Sequence, residues 1–89
     1  MGQTQSNESA ADKESKELTP GQRAIGVSFN PSKDPFVDEI KQDYAAIWDK
    51  LDEKQKTAGQ GDKGRRYAIA KTYLEDSKMR AVEAITWQY

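Results

Sequence analysis

The chain has 89 residues, of which 35% are hydrophobic and 33% charged, and its formal net charge at pH 7 is -1. This composition is typical of one small soluble domain. The chain contains neither Cys nor His, which excludes disulfides, zinc fingers, Cys nucleophiles and His-based acid–base catalysis. We therefore expect no enzymatic activity, metal or cofactor. No apolar run approaches the roughly 20 residues that span a bilayer, so no membrane partner is expected.

The first segment, residues 1–17, is polar and of mixed charge, which predicts a tail that is disordered or forms only a short helix around Ala10 to Lys16. Its opening letters, MGQTQS, fit the pattern for N-myristoylation with Gly2 as the acceptor. The alternative is a chance match, which we favour because one acyl chain needs a polybasic companion for stable anchoring. This segment has only two lysines against four acidic residues.

Residues 18–34 are rich in turn formers, and their composition predicts an N-terminal arm. Ile25, Val27 and Phe29 alternate over a short run that is expected to be extended. The Phe29 ring has two interpretations. It either pins the arm onto the helices or stacks against a ligand.

A helix is predicted to begin at Pro35, with Asp34 as its cap and the proline at its first position. Apolar residues then recur at steps of three and four, which predicts a seam that packs against another helix. Lys41 is expected to lie beside this seam as an exposed residue. The seam consists of Val37, Ile40, Tyr44, Ile47 and Leu51.

Thr57 to Gly64 holds three glycines in eight residues, which predicts a loop that reverses the chain. Arg65 to Gln88 follows as one long helix without Gly or Pro. The fold class is therefore all-α, an antiparallel two-helix hairpin over residues 35–89 with a short N-terminal arm. Basic residues cluster around the loop, and they either form solvated surface or bind an anion at the start of the second helix.

The second helix has two apolar sides, and one hairpin cannot cover both. Its small-residue side, which suits close approach to the first helix, contains Ala70, Leu74, Ser77, Ala81, Ala84 and Ile85. Its other side is expected to contact further subunits, because the core of so small a chain is marginal and exposed apolar patches mark interfaces. That side contains Ile69, Tyr73, Met79, Val82 and Thr86.

Two short motifs carry a resemblance to a known family. The first is Phe29-Asn30-Pro31-Ser32, followed by Ile40-Lys41 in the first helix. The second lies within Arg65 to Ile85, where an Arg precedes AIAKTYL and a Met begins MRAVEAI. Over roughly Gly26 to Trp87 the chain resembles the phage anti-CBASS sponge proteins. These proteins are helical hairpins that sequester the cyclic oligonucleotide messengers of bacterial immunity.

The resemblance implies a homohexamer that binds such messengers without hydrolysing them, in the cytoplasm of an infected bacterium. It implies a cyclic dinucleotide site between protomers, for ligands such as 3′,3′-cGAMP. Phe29 would be the stacking ring, Asn30 its neighbour in the same motif, and Lys41 the lysine that meets phosphate. Some members also bind cyclic trinucleotides near an Arg at the start of the second helix. Arg65 matches this position by its distance to Thr72, and Arg66 is the alternative.

Two other functions remain open from the sequence. The chain could be a protein-interaction module or small adaptor that uses its spare apolar side on another protein. It could also bind DNA or RNA, but the balanced charge argues against this, because nucleic-acid-binding domains usually carry a net basic surface.

Overall fold

A computed structural model describes residues 17–88. It contains three helices, α1 (Pro20–Ile25), α2 (Pro35–Ala58) and α3 (Asp62–Thr86), and no strand within the described residues. The predicted all-α class is confirmed. Residues 1–16 of the predicted tail, with Gly2, lie outside the described residues.

The predicted arm contains the short helix α1, Pro20–Ile25, which the sequence analysis did not predict. The prediction of an extended run from Ile25 to Phe29 is wrong, because Ile25 ends this helix and a turn follows it. Thr19 caps the helix by accepting a hydrogen bond from the Gln22 backbone N–H at 3.1 Å. The Gln22 side chain accepts one from the Thr19 N–H at 2.9 Å in return. This reciprocal capping box, with Pro20 at the first position, is a recognisable helix start in the sequence.

The first long helix, α2, begins as predicted, with the Asp34 carboxylate accepting from the Phe36 N–H at 2.9 Å. The predicted loop is too long, because α2 continues to Ala58 and α3 already begins at Asp62. No helix breaker precedes Gly59, which adopts a positive φ of 77° and ends α2. The predicted second helix also ends two residues early, at Thr86 rather than Gln88.

The two long helices, α2 and α3, pack side by side in antiparallel orientation. The Tyr44 hydroxyl lies 2.8 Å from the Ser77 hydroxyl. One turn later on α2, the Trp48 Nε1–H donates to Glu75 at 2.9 Å, and beyond it Asp52 pairs with Lys71 at 2.9 Å. Residue numbers therefore rise along α2 as they fall along α3.

The buried core lies between α1 and α2. Ile25, Val37 and Ala45 are each only 1% exposed. The Asp49 carboxylate secures α1 to this side of α2, because it accepts hydrogen bonds from the Thr19 hydroxyl at 2.6 Å and the Gly21 N–H at 2.7 Å. The predicted seam is therefore divided between two sides of α2.

The outer surface of α3 carries exposed apolar side chains. Ile69, Tyr73 and Met79 are 40%, 69% and 57% exposed, so the described residues leave this part of the predicted apolar side uncovered. Val82 and Thr86, predicted for the same side, are half-buried. Ile47, predicted for the α2 seam, is also 48% exposed. One helix cannot cover two neighbouring sides of another, so residues at the margin of the seam remain in water.

Candidate functional site

One groove brings together the three residues that the sequence motif links to dinucleotide binding. We call it the Phe29 groove. It has a volume of about 310 Å³ and lies between the loop before α2 and the C-terminal half of α3. It is lined by Phe29, Asn30, Pro31, Ser32, Val37, Lys41, Lys78, Met79, Val82 and Thr86.

The Phe29 side chain is 70% exposed, so its ring is presented to solvent rather than pinned onto the helices. Its backbone is held, because the Phe29 N–H donates to the Gly26 carbonyl at 3.1 Å. An exposed phenyl ring loses the roughly 1.5–3 kcal/mol of stabilisation that its burial would give. An aromatic ring exposed beside a groove is a suitable stacking surface for a flat ligand.

The Asn30 side chain organises the loop around it. Its Oδ1 accepts from the Ser32 hydroxyl at 2.7 Å and the Lys33 N–H at 3.1 Å. Its Nδ2 donates to the Asp34 carbonyl and to Asp38 Oδ1, both at 3.0 Å. An Asn amide has two donors and two lone pairs, so all four are used within the loop. The Asn30 amide therefore keeps no spare hydrogen bond for a ligand in this arrangement.

Lys41 is buried, and the expectation of an exposed lysine is wrong. It is 5% exposed and lies in line with Val37 and Ala45 on the side of α2 that faces α1. Its ammonium donates to the Gly26 carbonyl at 3.1 Å and to the Phe29 carbonyl. It also lies 5.6 Å from the centre of the Phe29 ring. Lys41 thus ties the loop that carries Phe29 to α2.

The pKa of Lys41 is lowered, first by burial and second by the positive charge of Lys78, with Asp38 opposing both. Burial disfavours the charged ammonium, and the two carbonyl acceptors compensate for part of that cost. An anion in the groove would favour the charged form of Lys41.

Lys78 is a groove residue that the sequence interpretation missed. It lies on α3, is half-buried, and makes no hydrogen bond or ion pair within residues 17–88. Its position follows from the antiparallel pairing of α2 and α3, whose register is given by the structure. If Tyr44 lies opposite Ser77, then Lys41 one turn earlier lies near Lys78 and its neighbours.

Arg65 and Arg66, predicted to bind a trinucleotide, line separate grooves. Arg65 lies on a wide groove of about 620 Å³ around the α2–α3 loop, which we call the Arg65 groove. Its guanidinium pairs with Asp62 at 3.5 Å and is largely exposed. Lys56, Lys71 and both Gly59 and Gly64 also line this groove.

Arg66 points to a different, smaller groove lined by Leu51, Lys63, Tyr67 and Ala70. The two adjacent arginines thus line different grooves. Both are separate from the Phe29 groove, whose lining they do not share.

Comparisons of the chain with family models, with curated proteins and with solved structures gave no match. Among the described helices, none combines the length and the apolar character needed to cross a membrane. Residues 17–88 hold no group of three or more carboxylate, His or Cys side chains that could bind a metal ion.

Proposed function

We propose that this protein binds cyclic dinucleotides such as 3′,3′-cGAMP in the Phe29 groove and sequesters them without cleavage. By its resemblance to the anti-CBASS sponges, it would block antiphage immune signalling in the cytoplasm of an infected bacterium. Cyclic trinucleotides would bind separately, in the Arg65 groove.

The observation that carries this proposal is an exposed aromatic ring beside two ammonium groups. Phe29, Lys41 and Lys78 share one groove, and no described residue of its lining carries a carboxylate. A cyclic dinucleotide offers flat bases and phosphates, which suit an aromatic ring and ammonium groups respectively. The uncompensated positive charge favours an anionic ligand over a neutral one.

The size of the groove supports a ligand shared between subunits. A volume of about 310 Å³ lies at the lower end of the roughly 300–1,000 Å³ typical of small-molecule pockets. A cyclic dinucleotide has two similar halves, so a twofold arrangement of two grooves would present each half with one ring and its lysines. The exposed apolar side of α3 would provide subunit contacts for the homohexamer that the resemblance implies.

Binding without cleavage is favoured by the chemistry of the lining. Hydrolysis of a phosphodiester needs a general base or a metal, and the described residues of the Phe29 groove include no His, Asp or Glu. A protein that lowers the free messenger concentration needs only tight binding in stoichiometric amounts.

The test is calorimetric titration of the wild-type protein with 3′,3′-cGAMP, alongside a linear dinucleotide of the same bases as the control ligand. We expect saturable binding of the cyclic ligand and its recovery intact after the protein is denatured. Phe29→Ala should weaken binding by roughly 1–3 kcal/mol, the value of one base–aromatic stack. Equal affinity for cyclic and linear ligands, or conversion of the ligand, would contradict the proposal.

A second candidate is a protein-interaction module that uses the apolar side of α3. The exposed Ile69, Tyr73 and Met79 side chains favour it, because such patches mark contact surfaces. The two functions are separated by Tyr73→Lys. This change should leave dinucleotide titration unaffected if the surface serves only a foreign partner, and it should weaken binding if subunits assemble through it.

A further inference from the structure

The two lysines of the Phe29 groove differ in the number of hydrogen bonds that their ammonium groups already make. Lys41 is 5% exposed and donates to the carbonyls of Gly26 and Phe29. Of its three N–H donors, one remains. Lys78 is half-buried through its stem and has no partner within residues 17–88, so all its donors are available.

The loop before α2 depends on Lys41 and Asn30 for its shape. Lys41 holds the two carbonyls at the start of the loop, and Asn30 holds Ser32, Lys33, Asp34 and Asp38 at its end. Lys33 adopts a positive φ of 61°, which this network has to maintain. Phe29 therefore lies in the part of the loop that the contacts of Lys41 and Asn30 hold in place.

Charge in the groove also favours Lys78 as the point of contact. The positive charge of Lys78 lowers the pKa of the Lys41 ammonium, and the negative charge of Asp38 raises it. Asp38 is already bonded to Asn30. No carboxylate pairs with Lys78 within the described chain, so an incoming phosphate would satisfy a cation that has no counterion.

We infer that Lys78 is the residue that contacts the ligand phosphate, and that Lys41 and Asn30 are positioning residues that present the Phe29 ring. This inference rests on the proposed function. It changes the role that the sequence motif suggests for Lys41. A buried lysine that already donates to two carbonyls is poorly placed to bind a phosphate. It also adds specificity, since the ligand phosphate would bind to Lys78 on α3 and the ligand base would stack on Phe29 in the loop.

The test compares Lys78→Met, Lys78→Arg and Lys41→Met with the exposed Lys50→Met control on α2, by titration with 3′,3′-cGAMP. Methionine keeps the apolar stem and removes the charge. Lys78→Met should weaken binding about 10- to 150-fold for each contact, the loss expected for one charge-assisted hydrogen bond. Lys78→Arg should recover most of the affinity. The thermal unfolding midpoint of Lys78→Met should match that of Lys50→Met.

The salt dependence of binding separates contact from positioning. Removing a cation that touches phosphate should flatten the decline of affinity with added salt, because screening then acts on one charge fewer. We expect this flattening for Lys78→Met. Lys41→Met should instead lower the unfolding midpoint and speed amide hydrogen exchange at Phe29 and Lys33, with the wild-type salt dependence kept in its residual binding.

The outcomes distinguish the inference from the function on which it rests. If wild-type protein binds the ligand but Lys78→Met binds equally well, the role of Lys78 is wrong and the proposed function stands. If Lys41→Met keeps wild-type stability and loop exchange, the positioning role is wrong whether or not a ligand binds. If the wild-type protein does not bind 3′,3′-cGAMP, the proposed function fails and the phosphate contact of Lys78 fails with it.

Discussion

At the scale of single residues, a polar cluster joins α2 to α3 away from the Phe29 groove. The Lys71 ammonium lies 2.9 Å from Asp52 and 4.3 Å from the centre of the Trp48 ring. The Lys71 and Asp52 side chains are only 14% and 17% exposed. The hydrogen bond from Lys71 lowers the pKa of Asp52 most, burial opposes it, and the charges of Lys71 and Lys56 lower it further.

The pKa shift of Asp52 predicts how stability depends on pH. Because its folded pKa lies below the ordinary value of 3.8, the carboxylate stabilises the fold above that pH and loses this contribution as the pH falls through the folded pKa. Asp52→Asn should therefore lower the free energy of unfolding by about 1 kcal/mol at pH 7, and by less at pH 3.

Urea unfolding at the two pH values measures this difference. Asp43→Asn is the matched control, since Asp43 is exposed on the same helix and makes no ion pair within residues 17–88. An Asp52→Asn effect of equal size at pH 7 and pH 3 would show that packing, rather than charge, explains the cluster.

At the scale of helices, the α2–α3 connection depends on a close approach of backbone to backbone. Gly64 is buried in the first turn of α3, and a Cβ atom added there would lie 2.0 Å from the Gly59 carbonyl oxygen. The missing side chain at Gly64 leaves room for the Gly59 carbonyl. The three residues from Gly59 to Gly61 are therefore enough to connect the helices.

Gly64→Ala should destabilise the protein although alanine is the better helix former. Alanine would gain about 1 kcal/mol in helix propensity. The clash is with backbone, which cannot rotate away, and overpacking costs roughly 1–3 kcal/mol. We expect a net loss of up to about 2 kcal/mol in the free energy of unfolding, measured by urea denaturation. Gly61→Ala is the control, because its φ of 169° is extended and no atom lies within 4 Å of an added Cβ. Similar stabilities for the two variants would show that the loop relaxes freely.

At the scale of the whole molecule, the chain leaves much apolar surface uncovered. Only Ile25, Val37 and Ala45 form the buried hydrophobic core of the described residues, whereas the side chains at Ile69 and Tyr73 face solvent. A core of this size is marginal for a domain of under 90 residues. Association through α3 would stabilise the fold as well as complete a shared ligand site.

We therefore predict that the protein self-associates at micromolar concentration through α3. Sedimentation velocity should give a mass of several subunits for the wild type, six if the resemblance holds. Tyr73→Lys should shift the mass toward the monomer, because it places a charge on the contact surface. Ala46→Lys adds the same charge to an exposed position of α2 and should leave the mass unchanged. A wild-type monomer would remove both the assembly and the shared site.

Local signals in the sequence were enough to predict the two long helices. Asp34 and Pro35 specify the start of α2 because a cap and a missing N–H act within four residues. The spacing of Ile69 and Tyr73 likewise determined that α3 keeps an apolar side. The capping box at Thr19 was equally local, and its Gln22 signal was available although we predicted an arm rich in turns there.

The environment of Lys41 and the partnership with Lys78 were decided only by the tertiary structure. Burial of Lys41 depends on α1 covering one side of α2 and on the Gly26 and Phe29 carbonyls reaching its ammonium. Lys78 joins the groove because α3 returns alongside α2. Periodicity along one helix reports which residues share a side, but not which side a neighbouring segment covers. That choice is made by contacts between residues 12 or more positions apart, and those contacts decide which lysine is buried and which keeps unpaired donors within the described chain.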